Sequence, residues 1–240
     1  MKKLVVILVV LLLSKNNFAM EVTPYGTVVN HTTWNQLLKK HVSDQGKVDY
    51  LGFKKDLIEL NAYLDWLSKS KPSETWSKDQ LMAFWINAYN ALTIKLIVDR
   101  YPISSIKDIY SPWNIKVITI ANKTLSLNNI EHDILRKMGD PRIHFGIVCA
   151  SISCPKLQNE AFNTQNTNRL LNKASKEFLA DSTKNELTAD AAELSKIFKW
   201  FAKDFKQEGS LIDFLNKFAD IRIASNATIS FKDYNWGLNE

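Results

Sequence analysis

The stretch Ser77–Tyr101, SKDQLMAFWINAYNALTIKLIVDRY, decides how the rest of the chain must pack. Ser77, followed three residues later by Gln80, forms a capping box in which each side chain satisfies an otherwise unpaired backbone N–H. Pro102 ends the run, because the residue before a proline is driven out of the helical region. Leu81, Phe84, Trp85, Ala88, Ala91 and Leu92 surround this helix on nearly every side, so its middle belongs in a core. Asn87 and Asn90 interrupt it three residues apart, on one face. A buried amide without partners costs roughly 1–3 kcal/mol, so both need them. Two readings are open: the asparagines tie down a neighbouring loop, or one stands beside a reacting group as an orienting residue or oxyanion donor. Tyr89 and Thr93 fall in the same polar cluster.

On the N-terminal side, apolar residues at 53, 57, 60, 64 and 67 predict a surface helix, and Thr32 or Thr33 caps a shorter one through Val42. On the C-terminal side, Ile115–Ile120 and Lys123–Leu125 flank Ala121-Asn122, a hairpin turn. Ser126 caps a helix through Lys137. Its apolar stripe contains Glu131, a carboxylate that needs an explanation, with His132 at the edge beside Arg136. Further helices are expected from Asn163 or Thr164 to Leu179 and from Ser210 to Phe218. Short strands are expected at Glu186–Leu187 and Thr228–Phe231, and Tyr234 with Trp236 makes an aromatic tail that packs back. Long helices with short strands between them predict an α+β fold: one helix-rich domain with a long buried central helix and a small sheet.

Met1–Lys3 is basic and Leu4–Leu13 apolar, with Phe18-Ala19 beyond a polar spacer, so residues 1–19 read as a signal peptide cleaved after Ala19. Residues 20–240 then form a single globular domain, exported to the periplasm or secreted, with no stable membrane insertion after cleavage, since the apolar run is too short to span a bilayer. Without Lys2, Lys3 and Lys15, the 31 basic residues become 28 against 25 acidic ones, a net charge of +3 that argues against nucleic acid as a partner. No cofactor motif is present: the chain has no phosphate loop, dinucleotide fingerprint, HExxH or GxSxG.

Both cysteines lie in DPRIHFGIVCASISCPKL, residues 140–157. Arg142–Cys149 is short, apolar and rich in Ile, Val and Phe, and reads as a buried strand. On a straight strand His144 and Cys149 point to opposite faces about 16 Å apart, so they are not direct partners. Three chemistries compete for the cysteines. Zinc fits poorly, because the two are five residues apart and no histidine follows them. Cys149 as a nucleophile needs a base, His144 or His132, and a group such as Glu131 to hold the ring. An inert structural role is the third: a buried strand cysteine, or a Cys149–Cys154 disulfide across the SIS loop. Arg142 with Asp133 or Glu131 makes an ionic network, and Arg136, Arg142 and the backbone around Ser151 offer a place for a carboxylate. His31 and His41, in a polar arm and on a surface helix, receive no function.

Five segments, FWINAYNALTIKLIV (84–98), LSLNNIEHDILR (125–136), DPRIHFGIVCASISCPKL (140–157), IFKWFAKDF (197–205) and FKDYNWGLN (231–239), together resemble the domain-of-unknown-function family numbered 547. The resemblance covers roughly Asp79–Asn239 and implies a portable domain found in bacterial exported proteins and in plant proteins. Its motif positions here are Asn87, Tyr89, Asn90, Glu131, His132, Arg136, Arg142, His144, Cys149, Ser151, Cys154 and Pro155. Gly146 stands where alanine is common, and Asn235 replaces an aspartate. The Cys, His, Glu and Asn content is that of a papain-like or transglutaminase-like site, and the central helix is reminiscent of those folds, although it carries no cysteine.

The expectation is therefore an exported cysteine-dependent hydrolase or acyl-transfer enzyme acting on an amide or thioester of a small molecule or peptide. Cys149 is the nucleophile, His144 or His132 the base, Glu131 the orienter and Asn87 an oxyanion or orienting amide. Tyr89, Asn90, Arg136, Arg142, Ser151 and Cys154 line the binding site. The rival is a non-catalytic ligand- or peptide-binding domain held by a disulfide.

Overall fold

The computed structural model describes residues 30–240; the expected signal peptide, residues 1–19, lies outside them. The axis is α4, Lys78–Val98, capped by the Ser77–Gln80 box. It is long and apolar enough to cross a membrane, but it is buried almost entirely inside the fold. Helices α2 (Tyr50–Lys55) and α3 (Leu57–Lys69) pack against it, and α1 (Thr32–His41) packs on α2 and α3. The single helix expected over 53–67 is broken at Asp56, whose backbone leaves helical geometry. Asp56 accepts from Lys40 and His41 Nε2, so the break serves to anchor α1. His31 and His41 are both buried, unlike their expected exposure.

Strands β1 (Ile118–Ile120) and β2 (Lys123–Leu125) pair as the expected hairpin, with Ala121 and Asn122 both at positive φ as this tight turn requires. The helix after Ser126 is wound as a π-helix over Asn129–Leu135. A second, mixed sheet joins β3 (Glu186–Leu187), β4 (Ala191–Leu194) and β5 (Thr228–Phe231), with β3–β4 antiparallel and β4–β5 parallel. The result is an α+β domain, helix-rich, with a small open sheet.

Arg142–Cys149 is not a strand. Asp140 Oδ1 accepts from the Arg142 N–H, and one short helix, α5 (Ile143–Gly146), follows Pro141. Aspartate before proline is a helix-start signal, and here it prevails over the β-branched composition. Asn90 takes over where α5 stops: its amide donates to Gly146 O at 2.9 Å, and its oxygen accepts from Val148 N–H at 3.0 Å. Gly146 permits a close approach to α6 (Thr167–Ala180), since a Cβ there would sit 3.0 Å from Leu171 Cδ2. Buried Ile143 and Ile147 face the large core around α4. Phe145 faces a second apolar cluster, built with α7 (Lys196–Trp200), α8 (Ala202–Phe205) and α9 (Leu211–Leu215). The segment 143–149 thus runs between the two cores and delivers Cys149 to their junction.

Candidate functional site

Cys149 follows α5 and precedes Ala150, a buried residue at φ 59°. A non-glycine residue in the left-handed region needs support from its surroundings. The C-terminal tail provides it: Asn239 N–H donates to Ala150 O, Ile152 N–H to Gly237 O, and Ser151 bridges to Leu238. The tail also brings Tyr234, whose hydroxyl lies 3.2 Å from both Cys149 Sγ and Ser151 Oγ. Ser151 Oγ is 3.1 Å from Cys149 Sγ, and Cys154 Sγ is 3.1 Å from it on another side. That last separation overturns the disulfide reading. A disulfide is about 2.05 Å long, and both cysteines are free thiols.

The neighbouring sulfur, then the Ser151 and Tyr234 hydroxyls, bring the Cys149 thiol down to about 7 against the opposing effect of burial. Burial pushes Cys154 the other way, well above an ordinary thiol, with the Cys149 anion adding to it. The two thiols are thus driven apart, Cys149 toward its anion and Cys154 toward its protonated form, while the Cys149 N–H donates to Cys154 Sγ at 2.9 Å. A thiolate at near-neutral pH is the reactive form of cysteine.

Cys149 lies in the wall of a cavity of about 250 Å³ shared with Glu131, His132 and His144. Glu131 is buried, accepts from Tyr89 Oη at 3.1 Å, and is raised by burial to about 7. The carboxylate that holds His144 is Asp204, with Nε2 to Oδ2 at 2.8 Å. Asp204 in turn takes a bidentate pair from Arg136, at 2.6 and 2.8 Å. Burial works to raise Asp204, but hydrogen bonds from Arg136 and His144 outweigh it and hold the carboxyl well below the usual range. The His144 ring stacks on Phe201 at 3.9 Å, and burial, ahead of the Asp204 bond, keeps it below an ordinary imidazole. His132 bonds Arg136 at 3.2 Å and is lowered by burial and then by that guanidinium. Among the described residues no hydrogen bond joins an imidazole to either sulfur.

The remaining expected residues divide sharply. Tyr89 and Cys154 line the cavity, while Ser151 reaches it only through Cys149. Asn87 donates to Phe162 O at 2.8 Å and accepts from Phe162 N–H at 3.1 Å, and is not part of the cavity wall. Asn90 is spent on Gly146 and Val148. Arg142 pairs with Asp140 and with the amides of Asn168 and Asn172, not with Asp133 or Glu131. Asp204 and Tyr234 are the residues that sequence reasoning missed. A lone aspartate in the aromatic run IFKWFAKDF was the available signal for the first. Among the described residues no cluster of three or more His, Cys, Asp or Glu side chains is placed to hold a metal ion.

A family profile described as "Protein of unknown function, DUF547" matches residues 73–179. That segment of the chain is similar to this family. It carries α4, the π-helix, α5, both cysteines and Glu131, but Asp204 and Tyr234 lie beyond it. No curated protein and no solved structure matches the chain. The matched segment supplies the thiol and the buried carboxyl, and the C-terminal third of this chain completes their surroundings.

Proposed function

We propose that this chain is a cysteine-dependent hydrolase or acyl-transfer enzyme acting on an amide or thioester, with Cys149 as nucleophile. The observation that carries the reading is the setting of the Cys149 sulfur: half-buried in a cavity wall, within 3.2 Å of Cys154, Ser151 and Tyr234. Three S–H or O–H groups packed around one sulfur, each able to turn a hydrogen toward it, favour its anion.

The thiolate attacks the carbonyl carbon, and a C–S bond forms as the carbonyl electron pair moves to oxygen. The pair returns as the bond to the leaving amine or thiol breaks. Glu131, whose carboxyl still holds its proton in part near pH 7, supplies the proton that an amine needs to leave. A carboxylate can only accept, so Asp204 keeps the hydrogen of neutral His144 on Nε2 and leaves the lone pair on Nδ1. That nitrogen takes a proton from the water that hydrolyses the acyl-cysteine. A carboxylic acid and the Cys149 thiolate are released, and the imidazolium proton returns to Glu131 through solvent. In this scheme Asp204, not Glu131, orients the imidazole. The division into thiolate, imidazole and carboxylate parallels papain-like and transglutaminase-like enzymes, and kinship with those folds is part of the proposal. Here the thiol comes from the loop after α5 and not from the central helix.

Mass spectrometry of the intact protein after mixing with activated thioesters tests the reading. An acyl adduct on the wild type, located to Cys149 and absent from Cys149→Ala and Cys149→Ser, is expected; equal turnover by all three proteins would sink it. The missing imidazole–sulfur hydrogen bond favours a second reading, in which the cavity binds a small molecule or peptide end without turnover. Ligand binding with no adduct on any donor would select it.

A further inference from the structure

The cavity beside Cys149 is walled by aromatic rings, and those rings come from three separated segments. Trp200 and Phe201 come from α7 and the residue after it, Tyr234 and Trp236 from the tail, and Trp113 from the loop before β1. They hold one another: Trp200 and Tyr234 centroids are 4.8 Å apart, Tyr234 and Trp236 4.6 Å, Trp113 and Trp236 5.7 Å. Rings packed on one another in this way make a preformed wall, so a ligand entering it orders little. Trp200 stays 46% exposed, an unusual state for so large an apolar ring, and marks the rim.

Charge narrows what the cavity accepts. Lys107 sits 4.5 Å over Trp236 and Arg136 5.3 Å over Phe201, yet neither lines the cavity. Among the described residues no lysine or arginine lines the cavity to meet a carboxylate or phosphate inside. Among the described residues Glu131 is the only carboxyl in the wall, and one of its oxygens is already taken by Tyr89. Burial raises its carboxyl to about 7, which weakens the anion that a cationic ligand would seek. Size sets the last bound. A cavity of ~150 Å³ lined by aliphatic and aromatic side chains takes up benzene. The present one, at about 250 Å³, has room for one ring or a chain of comparable length together with the reacting carbonyl.

We infer that this aromatic cavity is the acyl subsite, selecting donors whose acyl group is an uncharged aromatic ring or straight aliphatic chain of about six carbons. The inference rests on the acyl-transfer reading and adds the substrate class to it.

Acylation rates of wild-type protein by 4-nitrothiophenyl thioesters test it. The series runs from acetyl through butyryl and hexanoyl to phenylacetyl, with 6-aminohexanoyl and adipoyl as charged matches to hexanoyl. Each buried methylene should raise kcat/KM by about three- to fourfold up to hexanoyl. Hexanoyl and phenylacetyl should exceed both charged donors by roughly tenfold or more. Trp200→Ala should flatten the chain-length slope to below about twofold per methylene. Acylation of Cys149 with no chain-length slope, or with a charged donor preferred, overturns the subsite and leaves the nucleophile standing. If no donor acylates Cys149, the acyl-transfer reading falls, and tryptophan fluorescence with hexanamide, 6-aminohexanamide and adipamic acid decides the subsite alone. Selective quenching by hexanamide would support it, and equal or absent responses would overturn it.

Discussion

Two sets of polar side chains lie within the apolar interior, and they end differently. Asn87 and Asn90, on one face of α4, each close a reciprocal pair of hydrogen bonds with a single stretch of backbone. Each amide acts as a strand neighbour would, offering one donor and one acceptor to a chain segment that has no sheet partner. Glu131 and Cys149 are not closed in this way. Both face a cavity, and both have proton affinities brought to about 7, one from below and one from above. Polar residues in an apolar run thus signal two different things, and the deciding feature is whether their partners satisfy them. Closed pairs specify the fold; open ones, held near neutrality, suit proton transfer.

Asp204 tests where the boundary falls, because its partners are closed while His144 still borders the cavity. Asp204→Asn keeps the side-chain size but removes the anion that fixes the imidazole tautomer. Hydrolysis of the acyl-Cys149 adduct should slow by roughly 100-fold or more. Alkylation of Cys149 by iodoacetamide at pH 8 should keep its rate, because Asp204 does not touch the sulfur. Loss of both together would show a folding defect, and loss of neither would place His144 on the closed side. The pair is also structural: removing one partner should cost about 3 kcal/mol in urea unfolding, discounted for the partly exposed Arg136.

Asn87→Ala probes the closed side. It leaves the buried N–H and C=O of Phe162 unpaired, which should cost about 2–4 kcal/mol of stability, read from the urea midpoint. The titration of the Cys149 thiol, followed by thiolate absorbance, should not move. A shifted thiol would join the two regions into one network.

How much of this was legible beforehand depended on distance along the chain. The Ser77–Gln80 box, the apolar girdle of α4 and the Ala121-Asn122 turn are local, and each formed as its residues dictate. The buried setting of Glu131 followed from its place in the stripe. Arg142–Cys149 misled because a short apolar run has no period long enough to separate strand from helix, and Asp140-Pro141 was the better cue. Asp204 meets His144 across 60 residues, and Tyr234 meets Cys149 across 85. Contacts of that separation leave no spacing to read. They depend on how α8 and the C-terminal tail fold back, which is a property of the whole packing.

Glu131→Gln turns the comparison into a pH experiment. The folded carboxyl titrates at about 7 against 4.5 when unfolded, so the folded state holds the proton more tightly. Its stabilising share is complete below 4.5 and is lost as pH rises through 7. Glutamine cannot ionise and can still accept from Tyr89. The variant should therefore gain about 2–3 kcal/mol over wild type between pH 4.5 and pH 8, measured as the difference of urea midpoints. His31, lowered by burial to about 4, works in the opposite sense, losing stability as pH falls below 6.5. In the wild type the two trends oppose each other over much of the range, and the variant should expose the His31 slope. A constant offset across pH would mean that Glu131 is as closed as the asparagines.

The smallest effect bears most directly on the open side. Tyr234→Phe removes one of the three S–H or O–H groups around Cys149 while leaving the ring packed on Trp200 and Trp236. A hydrogen bond to a charged acceptor contributes about 1.5–3 kcal/mol, but Ser151 also faces the sulfur and can take up part of the loss. The Cys149 thiol should therefore rise by about one unit, and alkylation at pH 7 should slow about fivefold while the rate at pH 10 is unchanged. Because Tyr234 stands outside the matched segment 73–179, the same measurement asks whether the C-terminal tail tunes the Cys149 thiol or only covers it. A thiol that titrates as before would assign Tyr234 to packing and leave Cys154 and Ser151 as the donors that keep the sulfur open to chemistry.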